Sequence, residues 1–322
     1  MTFGIYAGSA AGTETGLATG KEDNPEMILH ALTQLSKPGE TFLIRGYIHY
    51  TGDGSLGYEA PEKVEQYANE DRQLDLVICY RSSKYDEGDW TEAIIGIINR
   101  YKNHLYSLQI TEEPNLKTAF AGDGHFDNIE KALLAGVVAA KKEMEKQQLK
   151  IKIGFNAVPS FNPADKFWNI IGSDEFKELR EAIDYVGFDF FPDVFRPVAL
   201  DGQPNDLQQS VINVLNYFRN VNLKTGNISS SVPIHITENG WATGENRTYE
   251  RQAQVIEKIV KTIYLIKDEL NIDTYELFAL RDANTSNQDI FYQFGLLKDD
   301  YLPKPAFGVY QQLIKEYRNQ SH

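Results

Sequence analysis

The sequence predicts a single closed (β/α)8 barrel that spans residues 1–322. Three observations point to this fold. Short apolar runs with strand character alternate with helix-like runs along the whole chain, and eight of each are present. Strands that are separated by such helices must run parallel, because each crossover returns the chain to the same edge of the sheet. The length suits a barrel with insertions, and no linker or low-complexity tract marks a second domain. A doubly wound open sheet is the competing architecture.

The strands are recognised by alternating or continuous apolar runs of five to ten residues. The first alternates, whereas the third is apolar except for Asp75, which indicates a buried strand. The predicted strands are Thr2–Ala7, Thr41–Tyr50, Leu74–Tyr80, Leu105–Thr111, Lys150–Ala157, Tyr185–Phe191, Pro233–Thr237 and Thr274–Leu280.

The helices are recognised by apolar residues at helical spacing and by capping or stop residues at their ends. Pro25 suits a first helical turn, Ser173 or Asp174 could cap the fifth helix, and Gly226 is expected to end the sixth. The predicted helices are Pro25–Leu35, Pro61–Arg72, Trp90–Tyr101, Asp127–Gln147, Ser173–Ala182, Leu207–Thr225, Tyr249–Leu270 and Ala306–Asn319.

Long insertions follow three of the strands, at Val158–Gly172, Pro192–Asp206 and Arg281–Pro303. Loops that follow the strands of such a barrel lie on its active face, so all three should border the mouth. The Gly-rich loop Gly8–Asp23 has a faint likeness to a phosphate loop, but its spacing is one residue short and Glu22 stands where a hydroxyl residue is needed. We interpret this loop as part of the rim of the mouth.

Composition excludes several classes of function. The net charge of −14 disfavours binding to nucleic-acid phosphates. No apolar run approaches the roughly 18 residues of a spanning helix, and the first strand begins too early for a signal peptide, so we expect a cytoplasmic protein without membrane contact. An exported protein that has lost its leader is the alternative. Cys79 is alone and should be a buried thiol, and His49, His104, His125 and His235 lack zinc-site spacing, so no metal or cofactor is expected. The oligomeric state is left open.

Two glutamates end strands that lie across the mouth from each other. Glu113 ends the fourth strand in LYSLQITEEPN, and Glu238 ends the seventh in PIHITENGW. Parallel barrel strands point their carboxyl ends to the same face, so the two side chains should meet there. Cleavage of a glycosidic bond needs such a pair, one carboxyl group to protonate the departing oxygen and one to attack the anomeric carbon.

With these motifs the chain resembles the glycoside hydrolases of clan A, which are retaining (β/α)8 glycosidases. The resemblance implies Glu113 as the general acid/base, because that residue precedes a proline at the end of strand four. It implies Glu238 as the nucleophile, within Thr237-Glu238-Asn239-Gly240-Trp241. It also implies that Arg45, near the end of strand two, keeps the nucleophile ionised. The substrate would be a carbohydrate, either a glycoside or an oligo- or polysaccharide.

The chain departs from the clan pattern at three positions. Glu112 replaces the Asn that usually precedes the acid/base, strand six lacks the usual Tyr, and strand eight offers Arg281 and Asp282 in place of a Trp platform. Glu112 could recognise an amino or otherwise modified sugar, or instead pair with Arg45 or Arg281.

Further residues are candidates for substrate binding. Asn156, which ends strand five, could contact the ligand or cap a loop, and Trp241 could stack on a sugar or pack over the mouth. Arg45 could also be a counter-ion in the barrel core. The departures leave a second hypothesis open, a barrel that binds carbohydrate without cleaving it. A lyase or aldolase lacks support, because no lysine or metal cluster ends a strand.

Overall fold

The computed structural model describes residues 1–118, 120–162, 164–204 and 206–318, and eight parallel strands in it close into a barrel. The order around the barrel follows the chain, and the first and last barrel strands pair, with Thr2 opposite Thr274. The (β/α)8 fold is therefore confirmed. The barrel strands are β1 (Thr2–Tyr6), β4 (Phe42–Gly52), β6 (Arg72–Tyr80), β7 (Leu105–Ile110), β8 (Lys152–Ala157), β9 (Tyr185–Asp189), β10 (Ile234–Asn239) and β11 (Ile272–Leu277). The short strands β2 (Ala11–Gly12) and β3 (Leu17–Ala18) form a hairpin within the loop after β1, and β5 (Ser55–Ala60) pairs antiparallel with β4.

Helices surround the barrel and pack their apolar faces on the strands. Four of them begin at a polar residue whose side chain accepts hydrogen bonds from the first turn: Asn24, Asp86, Asp206 and Thr248. The helices are α1 (Pro25–Leu35), α2 (Glu87–Tyr101), α3 (Ile129–Gln147), α4 (Phe167–Ile171), α5 (Lys177–Ala182), α6 (Leu207–Tyr217), α7 (Tyr249–Leu270) and α8 (Pro305–Arg318). The α6 helix continues as a π-helical segment, Phe218–Leu223. Asn319, the predicted last residue of the final helix, lies outside the described residues.

The predicted helix Pro61–Arg72 is wrong. After β4 the chain turns back through β5, makes a short 3-10 helix at Val64–Tyr67, and enters β6 at Arg72. Asp53 and Gly54, both with positive φ, form the turn between β4 and β5, and an Asp-Gly pair is a strong signal for such a hairpin. The β4–β5 hairpin and the short 3-10 helix thus replace the α-helix that follows the strand in the other units. Eight α-helices nevertheless result, because both α4 and α5 follow β8.

The buried apolar residues of the strands and the helices form one continuous core. No helix in the described ranges combines the length and the apolar character that crossing a membrane would need. At the carboxyl end of the barrel the register of β10 is irregular, and it brings Glu238 opposite Asp189 of β9. Such an irregularity at a strand end changes the direction in which the following side chains point.

Candidate active site

Glu113 lies in a strained turn just beyond the end of β7. Thr111 and Glu113 both have positive φ, 66° and 43°, which is uncommon for residues other than glycine. The turn is closed by a hydrogen bond from the Leu116 N–H to the Glu113 carbonyl, 2.9 Å long. The Glu113 N–H also donates to Asn156 Oδ1 on β8, at 2.7 Å. The backbone of Glu113 is therefore fixed from two sides.

Glu238 is held by a relay of hydrogen bonds from β4. The hydroxyl of Tyr47 donates to Glu238 Oε1 in a short hydrogen bond, and the same hydroxyl accepts from Arg45 Nε at 2.7 Å. Arg45 and Tyr47 are two residues apart on one strand, so they share its inner face. Sequence reasoning missed Tyr47, although this alternation could have found it.

Four carboxyl groups meet at the mouth of the barrel. Glu112, Glu113, Asp189 and Glu238 each contribute one oxygen, and these oxygens all lie within 4.8 Å of one another. All four side chains are buried. We call these four residues the carboxylate cluster. Asp189 was not singled out from the sequence, although it is the last residue of β9 and accepts hydrogen bonds from Thr237 Oγ1, at 2.5 Å, and from Asn156 Nδ2.

Burial and mutual repulsion raise the pKa of each member of the cluster. Burial is the largest cause for all four, and the charge of Asp189 comes next for both Glu113 and Glu238, whose pKa values lie well above the ordinary range. For Asp189 the second cause is the charge of Glu112, whereas Arg45 opposes the rise for Glu112 itself. Carboxyl groups this close cannot all be ionised, so the cluster retains protons at a pH where exposed carboxyl groups have lost them.

Arg45 is a fully buried cation beneath the cluster. Its guanidinium donates to Asp75 Oδ2 at 2.5 Å and to Gln109 Oε1 at 2.8 Å, and it lies 3.6 Å from Glu112 Oε2. Glu112 also accepts from Gln109 Nε2 at 2.7 Å. Of the two pairings considered for Glu112, the structure shows the one with Arg45, and Arg45 reaches Glu238 through Tyr47.

Asn156 joins the two sides of the cluster. Its amide oxygen accepts from the Glu113 backbone, and its amide nitrogen donates to Asp189. Ligand contact and loop capping were both predicted for Asn156. The structure shows the second, because the side chain holds the loop after β7.

The cluster forms the floor of a cavity of about 1080 Å³. The residues that line the cavity also include Tyr6, Tyr47 and Arg81, together with many phenylalanines from the loops that follow the strands. Among the described residues, the cluster is also the one group of acidic, His or Cys side chains with spacing suited to a metal ion. A cation there would have to displace the protons that the raised pKa values retain.

Comparison with known proteins finds similarity in structure but not in sequence. No protein-family profile matches the chain, and no curated protein sequence matches it. The structure is similar to a family 39 glycoside hydrolase from the gut symbiont Bacteroides cellulosilyticus, with a TM-score of 0.63 and 15% identity over 98% of this chain and 64% of that protein. It is similar to a β-glucosidase from Exiguobacterium marinum, with a TM-score of 0.58 and 14% identity over 91% of this chain and 86% of the other. A β-glucuronidase from Bacteroides uniformis has a TM-score of 0.59 and 12% identity, and this chain spans 32% of its length. The chain has the fold of the clan A glycosidases. At 12 to 15% identity this likeness shows the fold alone, so the residues of the site must be judged from their own geometry.

An aromatic residue, Phe278, follows the last barrel strand, where the sequence analysis had placed Arg281 and Asp282. Sequence reasoning continued that strand to Leu280, but β11 ends at Leu277. The next residue, Phe278, lines the cavity and stacks on Tyr6 with ring centroids 5.1 Å apart. Because Phe278, Ala279 and Leu280 are also apolar, the sequence pattern did not show where the strand ends.

Five of the six residues predicted to bind substrate do not line the cavity among the described residues. Arg45 and Asn156, described above, are two of them, and the other three have structural contacts. Trp241 Nε1 donates to Asp193, and the Arg247 guanidinium lies 3.7 Å from the centre of its ring system. Arg281 pairs with Asp23 at 2.7 Å, and Asp282 pairs with Lys304 at 2.7 Å. The structure therefore gives these residues roles in holding the loops behind the mouth.

Proposed function

We propose that this protein is a retaining glycoside hydrolase that cleaves a β-glycosidic bond, with Glu113 as the general acid/base and Glu238 as the nucleophile. The observation that carries the proposal is the approach of these two carboxyl groups, from the fourth and seventh barrel strands, to within 4.8 Å on the floor of a cavity. Retaining enzymes hold their two carboxyl groups about 5–5.5 Å apart, whereas inverting enzymes need about 6.5–9.5 Å to admit a water molecule. The spacing here favours retention.

The surroundings of the two groups support the assignment of roles. The nucleophile must attack as a carboxylate, and the Tyr47 hydroxyl, itself bound by Arg45, donates a hydrogen bond that stabilises a charged Glu238. The acid must hold its proton before the reaction, and burial together with the charges of Asp189 and Glu112 raises the pKa of Glu113. Because the pKa values of both groups are raised, what distinguishes Glu238 is the hydrogen bond from Tyr47, which favours its carboxylate form.

In the first step Glu238 attacks the anomeric carbon, and Glu113 gives its proton to the glycosidic oxygen as the bond to that oxygen breaks. The alcohol departs and the sugar is left as an ester of Glu238. In the second step Glu113 takes a proton from water, the water oxygen bonds to the anomeric carbon, and Glu238 is released. Each proton and electron pair is accounted for by these two side chains.

Glu112 and Asp189 influence which sugar the floor of the cavity accepts. Both are acidic, and Glu112 stands where the clan usually has a neutral amide. A sugar that carries a carboxylate would meet their negative charge, whereas a neutral or amino sugar would not. We therefore expect neutral or amino glycosides to be accepted.

Trapping of the glycosyl-enzyme tests the proposal. The protein would be incubated with a panel of activated 2-deoxy-2-fluoro β-glycosides, and the peptides would be analysed by mass spectrometry. We expect one covalently bound sugar per chain, on Glu238. A barrel that binds carbohydrate without cleaving it would form a reversible complex and no adduct, and an adduct on another residue would refute the assignment of Glu238.

A further inference from the structure

The exposed aromatic side chains of the protein are concentrated at one place. Among the described residues, four aromatic side chains are more than a third exposed: Tyr58 (39%), Phe120 (52%), Phe161 (53%) and Phe195 (58%). All four line the cavity above the carboxylate cluster. Exposure of this much aromatic surface to water is unfavourable, and its concentration around one opening indicates a surface that a ligand covers.

An aromatic wall connects the nucleophile to the rim of the cavity. It starts at Tyr47, which donates to Glu238, and each ring contacts the next, with centroids separated by 4.9, 5.1, 5.5, 6.4 and 5.9 Å in turn. These distances are typical of aromatic pairs in contact. The wall consists of Tyr47, Tyr6, Phe278, Phe294, Phe291 and Phe195.

Two of the exposed rings lie in loops that flank the acid/base. Phe120 follows Glu113 in the loop after β7, and Phe161 follows Asn156, which binds the Glu113 backbone, in the loop after β8. Phe120 has a φ of 63°, a backbone region that bulky side chains rarely adopt. The group that leaves in the first step takes its proton from Glu113. The leaving group must therefore lie on the side of the cavity that carries these two rings.

The chemistry of this side suits an apolar group better than a second sugar. Beside the two phenylalanines and two acids of the carboxylate cluster, the cavity residues of these two loops include the apolar Leu116, Ala121, Val158 and Pro159 and one hydroxyl residue, Thr118. A phenylalanine ring has no hydrogen-bonding atom, whereas a bound sugar must find partners for its hydroxyl groups. Trp90, Trp168 and Trp241, which are all the tryptophans of the chain, are buried and do not line the cavity among the described residues.

We infer that the leaving group of the substrate is an apolar aglycone, alkyl or aryl, which binds between Phe120, Phe161 and the aromatic wall. This inference rests on the proposed glycosidase function and names the class of substrate for the same site. The cavity, about 1080 Å³, is slightly larger than a usual small-molecule pocket of about 300–1,000 Å³ and has room for one sugar with such a group attached.

Hexyl and methyl glycosides of the same sugar test the inference, because hexanol and methanol differ little as leaving groups. Hydrolysis of the hexyl β-glycoside, the methyl β-glycoside and the corresponding β-linked disaccharide would be compared for gluco, galacto, manno and xylo sugars. All these leaving groups are aliphatic alcohols. We expect kcat/KM for the hexyl glycoside to exceed the other two by at least about tenfold, because each buried methylene favours binding.

Truncation of the rings should remove this preference. In Phe120→Ala and Phe161→Ala we expect kcat/KM for the hexyl glycoside to fall about 3- to 30-fold each, with a smaller loss for the methyl glycoside. The matched control is Leu265→Ala, which removes an exposed apolar side chain from α7, outside the cavity residues. It should leave both values unchanged.

The glycosyl fluorides of the same sugars and the hexyl and methyl 1-thioglycosides separate the two proposals. If the glycosyl fluorides are hydrolysed but the hexyl glycoside is not preferred over the disaccharide, the aglycone inference is overturned and the glycosidase proposal stands. No fluoride hydrolysis, but tighter calorimetric binding of the hexyl than of the methyl thioglycoside, would support an apolar ligand and refute catalysis. Neither hydrolysis nor tighter hexyl binding would overturn both.

Discussion

Two buried acidic sites lie at or beyond the carboxyl ends of the barrel strands, and they differ in how their charge is balanced. Asp282, beyond β11, pairs with Lys304 at 2.7 Å and also accepts hydrogen bonds from the Gly295 N–H and from Thr285 Oγ1. Lys304 in turn donates to Thr243 Oγ1 at 3.0 Å. In the carboxylate cluster four acidic groups share a floor that opens into the cavity, and Arg45 lies 3.6 Å from one of them, Glu112.

The difference teaches that a buried charge at a strand end does not by itself indicate function. An acid whose charge is matched by a cation and whose oxygens are satisfied holds the loops together. Acids that repel one another at the floor of an open cavity are kept at a cost in stability, and such a cost is typical of a site that does chemistry. Substitutions in the two sites should therefore have opposite consequences for activity and stability.

The largest expected effect is on activity, in the carboxylate cluster. Glu238→Gln keeps the shape of the side chain but cannot form the ester, so we expect kcat to fall by about 10⁴-fold or more. The free energy of unfolding should not decrease, because the substitution removes a buried acid whose pKa is raised by its neighbours. Rates on the glycoside that the protein hydrolyses fastest, together with urea unfolding, would measure both effects.

The matched control for this variant is Glu245→Gln, an exposed glutamate in the loop that follows the same strand. It should retain full activity. Wild-type turnover by Glu238→Gln would end the glycosidase proposal.

The next effect is on stability, in the Asp282 site. Asp282→Ala leaves the Lys304 ammonium buried without its partner, and the loss of one partner of a buried ion pair costs about 3–5 kcal/mol of unfolding free energy. The KM of the folded variant should stay close to that of the wild type, because Asp282 does not line the cavity.

Thermal and urea unfolding would measure the loss of stability, with Asp201→Ala as the control. Asp201 pairs with Lys258 at the surface, and an exposed pair of this kind contributes only about 0–1 kcal/mol. A large rise in KM with unchanged stability in Asp282→Ala would contradict this prediction and support the role in substrate binding that the sequence suggested.

Sequence reasoning succeeded where one local pattern determines the outcome. The run LYSLQITEEPN places Glu113 just after a buried strand, and PIHITENGW does the same for Glu238, so a parallel barrel brings them to one face. The side chains around them were predicted less well. Tyr47 lies on the same face of β4 as Arg45, but only the barrel geometry shows that it reaches Glu238 from the other side of the mouth.

The two errors have different causes. At β11 the apolar run continues past the true end of the strand to Leu280, and this moved attention from Phe278 to Arg281 and Asp282. Only the contact of Phe278 with Tyr6, which is distant in sequence, shows which side chain lines the cavity. After β4 the local signal was sufficient, because the Asp53-Gly54 pair indicates a hairpin that the helix prediction for Pro61–Arg72 overlooked.

The smallest expected effect is on the pH dependence of stability, and it measures the repulsion within the carboxylate cluster. The folded-state pKa values of its four members are raised, so above the ordinary carboxyl pKa of about 4.3 the folded state binds more protons than the unfolded state. Stability must then fall as the pH rises through this window. Asp123, whose pKa burial raises to about 7, adds to the fall near neutrality.

Glu112→Gln should flatten this pH dependence. The substitution removes one titrating group, and it also removes a charge that raises the pKa values of Glu113, Asp189 and Glu238. Each proton no longer taken up on folding reduces the slope by about 1.4 kcal/mol per pH unit. Urea unfolding of the wild type, Glu112→Gln and the exposed control Glu245→Gln at pH 5, 6, 7 and 8 would measure the slopes. Equal slopes in all three proteins would mean that the four acids do not repel one another as their spacing requires, and that the contrast with the balanced Asp282 site does not hold.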